Sequence, residues 1–313
     1  MRVVLDENFR NWILGAVVRE SASKLTRKVA IQYVSTSRRR HPFRFLGIKY
    51  LRKLRLDPGD LVINHRTLNF LVANGVINPE TLSTIRCHFT HESETLLGVT
   101  DTLKNLSKVS QVLVLNSRDR EKLIQSGIQS NRIVVIYGAI DRALFKPSPC
   151  LPVREFVFLS GDAKGRKNPS KVIDLIAKSP DLEFVICGRG WENYLLDKGL
   201  KNLELHQFNL DLNAQLIRDA SAYLTLSLEE GGPYPVLEAL ASGTPVVSTP
   251  VGWVPEILTA SNGVVIPFEA DVEQIRAALT KAIKLKSRTH HIDLLQGRFT
   301  WEEQASLLFR QQK

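Results

Sequence analysis

The chain has 313 residues, 43% hydrophobic and 24% charged, and carries a net charge of +10. That composition excludes a disordered or low-complexity chain and leaves room for two domains of about 150 residues each. Three cysteines, Cys87, Cys150 and Cys187, stand at no metal-ligand spacing. They exclude a disulfide framework or zinc module and read as reduced thiols of a cytoplasmic protein.

From the N-terminus, MRVVLDENFR reads directly into a strand, so no signal peptide is expected. No apolar run approaches the roughly 20 residues that span a bilayer. Residues 3–5, 29–34, 60–64, 84–89, 112–115 and 132–137 are short apolar runs that predict strands. The segments between them have helical periodicity, as in residues 11–25. Residues 144–155 hold Pro147, Pro149 and Pro152 and predict a linker. The rhythm then restarts with strands at 155–161, 182–188, 203–208, 222–227, 244–249 and 263–267. Buried strands alternating with helices predict parallel sheets covered on both faces. The expected architecture is therefore two doubly wound, Rossmann-like α/β domains facing a cleft: 1–148, then 149–297. A terminal helix, 298–313, follows, N-capped by Thr300 and expected to pack back toward the first domain.

Charge is uneven. Residues 1–150 hold 24 of the 42 basic and 12 of the 32 acidic residues, so the first half is strongly basic and the remainder nearly neutral. The densest cationic stretch, 38–55, has a helical pattern with Phe43, Leu46, Tyr50 and Leu54 on one side. It suits an interfacial helix on anionic lipid; the alternative, slightly favoured, is a helix docked on its own sheet with a charged outer face. No stacking-aromatic or recognition motif points to specific nucleic-acid binding.

One stretch carries chemistry. In EEGGPYPVLEALASGTPVV, residues 229–247, Glu230 and Glu238 flank a loop that becomes a helix, with Pro235 suited to the first helical position. A glycine-rich loop feeding a helix N-terminus is an anion site. Carboxylates on either side can accept hydrogen bonds from sugar hydroxyls. That arrangement suits a nucleoside diphosphate sugar. The bland reading makes Glu238 a solvated first-turn glutamate and Glu230 a loop charge.

EGGPYPVLEALASGTPVV resembles the E-x(7)-E signature of the retaining glycosyltransferases of family 4, which have the two-domain GT-B fold. GWVPEI (252–257) is similar to their Gly-x-Pro-Glu segment. VVIYGAIDRALFKP (134–147) resembles their entry to the linker through Gly138, Asp141, Phe145 and Pro147. The resemblance implies a metal-independent hexosyltransferase with no cofactor. Its donor would be a UDP-sugar or GDP-sugar, and its acceptor a glycan or lipid-linked molecule in polysaccharide or glycan assembly. It implies that Glu238 binds the donor ribose and Glu230 contacts the donor sugar. Gly231, Gly232 and Tyr234 would line the sugar and diphosphate, Gly188 would lie near the base, and Lys167 would neutralise the diphosphate. The family commonly has an arginine five residues before that lysine. Here the position is Asp162, so Arg166 or Lys164 is left to supply the charge. A histidine after a middle strand of the first domain contacts the donor sugar in the family. His88 and His91 both fit, with His91 preferred because it lies further past the strand, and His65 is a third candidate. The resemblance also implies a cytoplasmic protein with peripheral attachment to the inner membrane face as an option. The alternative reading is a non-catalytic nucleotide-sugar binder or partner subunit on the same fold. Asp162, and the lack of a glycine pair after the first strand, favour it.

Overall fold

A computed structural model describes residues 1–10, 13–26, 28–36, 54–91, 101–148, 154–195, 199–285 and 298–310. Among these, all twelve apolar runs form strands, arranged in two six-stranded parallel sheets. The cationic stretch 38–55 lies outside the described residues apart from Leu54, which is buried, and Arg55. Cys150 and the linker residues 149–153 also lie outside them.

The chain divides into two units, Met1–Ala139 with Thr300–Lys313, and Ile140–Phe299. The division comes earlier than the expected boundary after 148. Residues 140–148 fold with the second unit, where the Ile140 N–H donates to the Phe299 carbonyl (3.0 Å) and Phe145 is buried.

The first unit runs β1 (Arg2–Asp6), α1 (Ile13–Ser23), β2 (Ala30–Val34), β3 (Leu61–Ile63), α2 (His65–Ala73), α3 (Pro79–Thr84), β4 (Arg86–His88), α4 (Thr102–Leu106), β5 (Gln111–Val114), α5 (Ser117–Gln125) and β6 (Ile133–Val135). Its sheet order is β2-β1-β3-β4-β5-β6. Alternation along the strands splits the core between two faces. Val4, Val62, Cys87 and Val112 pack with Leu68, Leu82 and Leu106 on one face. Val3, Leu5, Leu61 and Leu113 pack on the other with Val18, with Ala305 and Leu308 of the terminal helix Trp301–Leu308, and with Phe309, which caps that helix. Gln304 fixes that helix in a buried polar tie, accepting from the Ser21 hydroxyl (3.0 Å) and donating to the Tyr137 carbonyl (3.1 Å).

The second unit runs β7 (Val157–Ser160), α6 (Pro169–Ala177), β8 (Phe184–Cys187), β9 (Leu203–His206), α7 (Leu210–Asp219), β10 (Ala222–Thr225), α8 (Tyr234–Ala241), β11 (Val246–Ser248), α9 (Val254–Ile257), β12 (Gly263–Val265) and α10 (Val272–Ile283). Its order, β12-β11-β10-β7-β8-β9, reverses direction between β7 and β10. In such sheets the loops leaving the carboxyl ends of the two strands at the reversal part and leave a crevice for a ligand.

Candidate active site

The loops that leave β7 and β10, residues 161–168 and 226–233, are joined where the Leu228 N–H donates to the Arg166 carbonyl (2.8 Å). A short 3-10 turn, Gly165–Lys167, ends in left-handed Asn168 (φ 53°), which starts α6. That turn aims two cations at one carboxylate. Lys167 Nζ lies 2.5 Å from Glu230 Oε1, and the Arg166 guanidinium pairs with the same oxygen. The Ser227 hydroxyl donates to it as well, at 3.2 Å. Side-chain exposure is 10% for Glu230, 13% for Lys167 and 37% for Arg166, so the Lys167 pair is screened little and Arg166 more. Burial pushes the Glu230 carboxyl up, but Lys167 and Arg166 outweigh it and hold it below the usual carboxylate range. The sequence-predicted Glu230, Lys167 and Arg166 are thus brought together.

Glu238 lies inside α8, whose N-cap is Pro233 and whose first residue is Tyr234; Pro235 takes the second helical position rather than the first. The Ser160 hydroxyl donates to Asn213 Oδ1 (2.7 Å), which turns the Asn213 amide toward Glu238 Oε2 (3.4 Å). Burial, only partly offset by Asn213, pushes the Glu238 carboxyl up to about 7. Glu238 is therefore not the solvated first-turn glutamate of the bland reading. Its sign for stability is the reverse of a salt-bridged carboxylate. The folded state favours the proton, so stability falls as pH rises from 4.5 through 7. Glu238→Gln should then melt higher than wild type at pH 8 and alongside it at pH 4, read by thermal unfolding at both. A wild-type curve flat across that window would contradict the assignment.

Among the glycines expected at the site, Gly188 and Gly232 are required by space. A Cβ on Gly232 would lie 2.1 Å from the Trp253 ring, which is fully buried beneath the loop and meets Tyr234 edge-on at 5.5 Å. A Cβ on Gly188 would lie 2.1 Å from the Gly161 carbonyl oxygen. The loops after β7 and β8 therefore touch backbone to backbone, and the Trp191 indole N–H donates to that same carbonyl (2.8 Å).

Asp162 is paired with Arg189, which follows Gly188. Backbone and guanidinium N–H groups of Arg189 reach it at 2.9–3.3 Å. Burial raises the Asp162 carboxyl, but the Arg189 bonds and charge prevail and lower it. Arg189 is thus a further cation at this edge that the sequence reading missed. Lys164 precedes the 3-10 turn and its charge acts on Asp162.

Lys167→Ala should leave Glu230 with the Arg166 charge and the Ser227 hydroxyl. Breaking a fully buried pair costs about 3–5 kcal/mol. With Arg166 remaining, we expect a loss on the order of 1–2 kcal/mol in urea unfolding; an unchanged midpoint would contradict the pairing.

In the first unit, Asp6 at the end of β1 caps the Glu7–Phe9 turn by accepting from the Asn8 N–H (2.8 Å). His88 lies within β4, 4% exposed; burial, then neighbouring His65, lower its imidazole to about 4. His65 opens α2, fully buried against the Phe89 ring at 4.8 Å. His91 stands past the strand end, its Nδ1 2.7 Å from Asp119 Oδ1. Its ring is 19% exposed. Among the described residues, no three His, Cys, Asp or Glu side chains gather to hold a metal ion.

Residues 144–293, within the second unit, match the family model described as Glycosyl transferases group 1. Three curated relatives, each 25% identical to the chain, are described as subunits of phosphatidylinositol N-acetylglucosaminyltransferase. They come from Arabidopsis thaliana, from Schizosaccharomyces pombe, where the protein is the gpi3 subunit, and from Homo sapiens. The matches cover 58%, 77% and 73% of this chain but only 43%, 58% and 51% of theirs, so the chain spans about half the length of these relatives. Sucrose-phosphate synthase from Thermosynechococcus elongatus superposes with a TM-score of 0.75 at 15% identity, covering 98% of this chain and 97% of that one. HepE of Anabaena, solved with UDP-glucose, superposes at 0.73 with 16% identity over 98% of both chains. The two six-stranded parallel sheets with their helices match the GT-B fold of these structures.

Proposed function

We propose that the protein is a retaining, metal-independent glycosyltransferase moving a hexosyl group from a UDP-sugar to a lipid-linked acceptor. One observation carries this reading. Lys167 and Arg166 converge on Glu230 at the reversal of the second sheet, Glu230 stands in the loop that leads into α8, and Glu238 lies within that helix. The donor diphosphate would lie at the cations and the helix start, where positive charge is already fixed and no reorganisation is needed as the leaving group gains charge. Glu238 would accept from the ribose hydroxyls and Glu230 from the sugar hydroxyls. Gly188, Gly231 and Gly232 would let backbone approach the base, sugar and phosphates, and Tyr234 would stand at the first helical position beside them. With Lys167 and Arg166 supplying the positive charge, no divalent ion is called for. Retention would follow from attack on the face the diphosphate leaves, the phosphate oxygen taking the acceptor proton. The relatives named as phosphatidylinositol N-acetylglucosaminyltransferase subunits support N-acetylglucosamine as the sugar and a membrane lipid as the acceptor. The basic first half would then face the anionic surface that presents it.

The test is transfer of labelled sugar from UDP-N-acetylglucosamine, UDP-glucose or GDP-mannose to vesicles containing phosphatidylinositol or a polyprenyl phosphate. The reading predicts a labelled lipid from one UDP-sugar, with α configuration by NMR. A β product would overturn retention. No turnover of any donor by protein that binds UDP would favour the non-catalytic subunit, the reading Asp162 first suggested.

A further inference from the structure

An acidic side chain stands beside the cations that the proposed function gives to the diphosphate. Asp162 is the second residue after β7, and the residue before it, Gly161, is packed against Lys167. A Cβ on Gly161 would lie 3.3 Å from Lys167 Cε and 3.7 Å from Nζ. Burial raises the Asp162 carboxyl, but the hydrogen bonds and charge of Arg189 more than offset it, so the group is ionised at neutral pH. A bare carboxylate there would repel a diphosphate held by Lys167.

Arg189 meets Asp162 with three donors. Its backbone N–H and Nε reach Oδ1 at 3.2 and 3.3 Å, and Nη2 reaches Oδ2 at 2.9 Å. One cation thus engages both oxygens in a planar fork. The pair does little for the fold. Side-chain exposure is 77% for Arg189 and 27% for Asp162, and ion pairs so open to solvent contribute little to stability. The loops after β7 and β8 are joined without it. The Gly161 N–H donates to the Cys187 carbonyl (2.9 Å) and the Ala163 N–H to the Arg189 carbonyl (2.8 Å), besides the Trp191 bond to Gly161. What the guanidinium adds is charge, placed where it cancels Asp162. Lys164 adds to it in smaller measure.

We propose that Arg189 is a positioning residue for the donor that acts through Asp162: it masks this carboxylate, so that Lys167 and Arg166 keep their attraction for a diphosphate. The proposal rests on the glycosyltransferase reading for that ligand. It also accounts for an acidic side chain at the edge of an anion site.

Calorimetric titration of the full-length protein with UDP and GDP, and with the monophosphate of whichever binds, is the test. Arg189→Gln should weaken the diphosphate on the order of fivefold, the size expected of one charge acting at short range through solvent. The monophosphate should lose less, because the loss follows ligand charge, and high salt should shrink both losses. Combining Asp162→Asn with Arg189→Gln should restore the diphosphate to within about twofold of wild type, since no charge is left to mask. Arg189→Lys, which keeps the charge and loses the fork, should also stay within about twofold. A double variant that binds no better than Arg189→Gln would mean that Arg189 touches the donor itself. Equal losses for diphosphate and monophosphate would mean a displaced loop. Either result overturns the masking role, as does an Arg189→Gln variant that binds like wild type. If the double variant does not fold, Arg189→Lys against Arg189→Gln still decides between charge and shape. Folded wild-type protein that binds neither diphosphate refutes the glycosyltransferase reading and this role together, whereas the other failures refute this role alone.

Discussion

Glu230→Gln is expected to cut sugar transfer on the order of 10²–10³-fold while UDP affinity stays level or rises. The two effects part because Glu230 has two relations in the site. It neutralises Lys167 and Arg166 when no donor is present, and in the proposed complex it accepts from the sugar. A glutamine keeps the shape but loses the charge, which frees the two cations for phosphate oxygens and weakens the grip on the sugar hydroxyls. Removing one partner of a buried pair also destabilises. With Lys167 only 13% exposed, the variant should unfold with a loss of about 1–3 kcal/mol. Steady-state turnover beside calorimetric titration with UDP reads both. Equal loss of binding and turnover would make Glu230 a structural charge, and full turnover would remove it from the site.

Gly188→Ala is the substitution expected to disturb the fold of the site most. The new methyl would sit 2.1 Å from the Gly161 carbonyl oxygen and 2.5 Å from its carbon, and neither is the movable end of a side chain. Something in the backbone must shift. The Gly161 carbonyl holds the Trp191 indole, and Gly161 leads into the turn that aims Lys167 and Arg166. Overpacking of this kind costs about 1–3 kcal/mol, occasionally more. For a unit of this size that is a fall in Tm of several degrees, roughly 2–4 °C per kcal/mol. UDP affinity should fall with it, since the cations move with the loop. A variant with wild-type Tm and UDP affinity would contradict the contact.

The strands were the most legible part of the chain because parallel strands buried on both faces are continuous short apolar runs, separated here by helical periodicity. All twelve expected runs contain a strand. The boundary between units was less legible. Pro147, Pro149 and Pro152 drew it to the linker, whereas the bond from Ile140 to Phe299 ties residues 140–148 to the second unit, and nothing local marks a pairing across that separation. At the site, Glu230, Glu238 and Lys167 were named from the motif they resemble, and Arg166 was named as the charge left to compensate for Asp162. That Glu230 holds both cations needs the adjacency of β7 and β10, which sequence does not show. Arg189 escaped notice for the same reason, since its pairing with Asp162 follows from β7 lying beside β8. Asn213, Trp253 and Asp119 look like ordinary helix and loop residues until their partners are known. Pro235 was assigned the first helical position, but Tyr234 precedes it because Pro233 takes the N-cap.

The central claim is that a nucleoside diphosphate binds at Lys167, Arg166 and the start of α8. Calorimetric titration of the full chain with UDP, GDP and UMP, beside Lys167→Ala and Glu238→Ala, tests it most directly. The account predicts that one diphosphate binds, that UMP binds far more weakly, and that each substitution weakens the diphosphate at least about tenfold, or 1.4 kcal/mol. A folded protein that binds none of the three, or binds UDP equally well without Lys167, would contradict it.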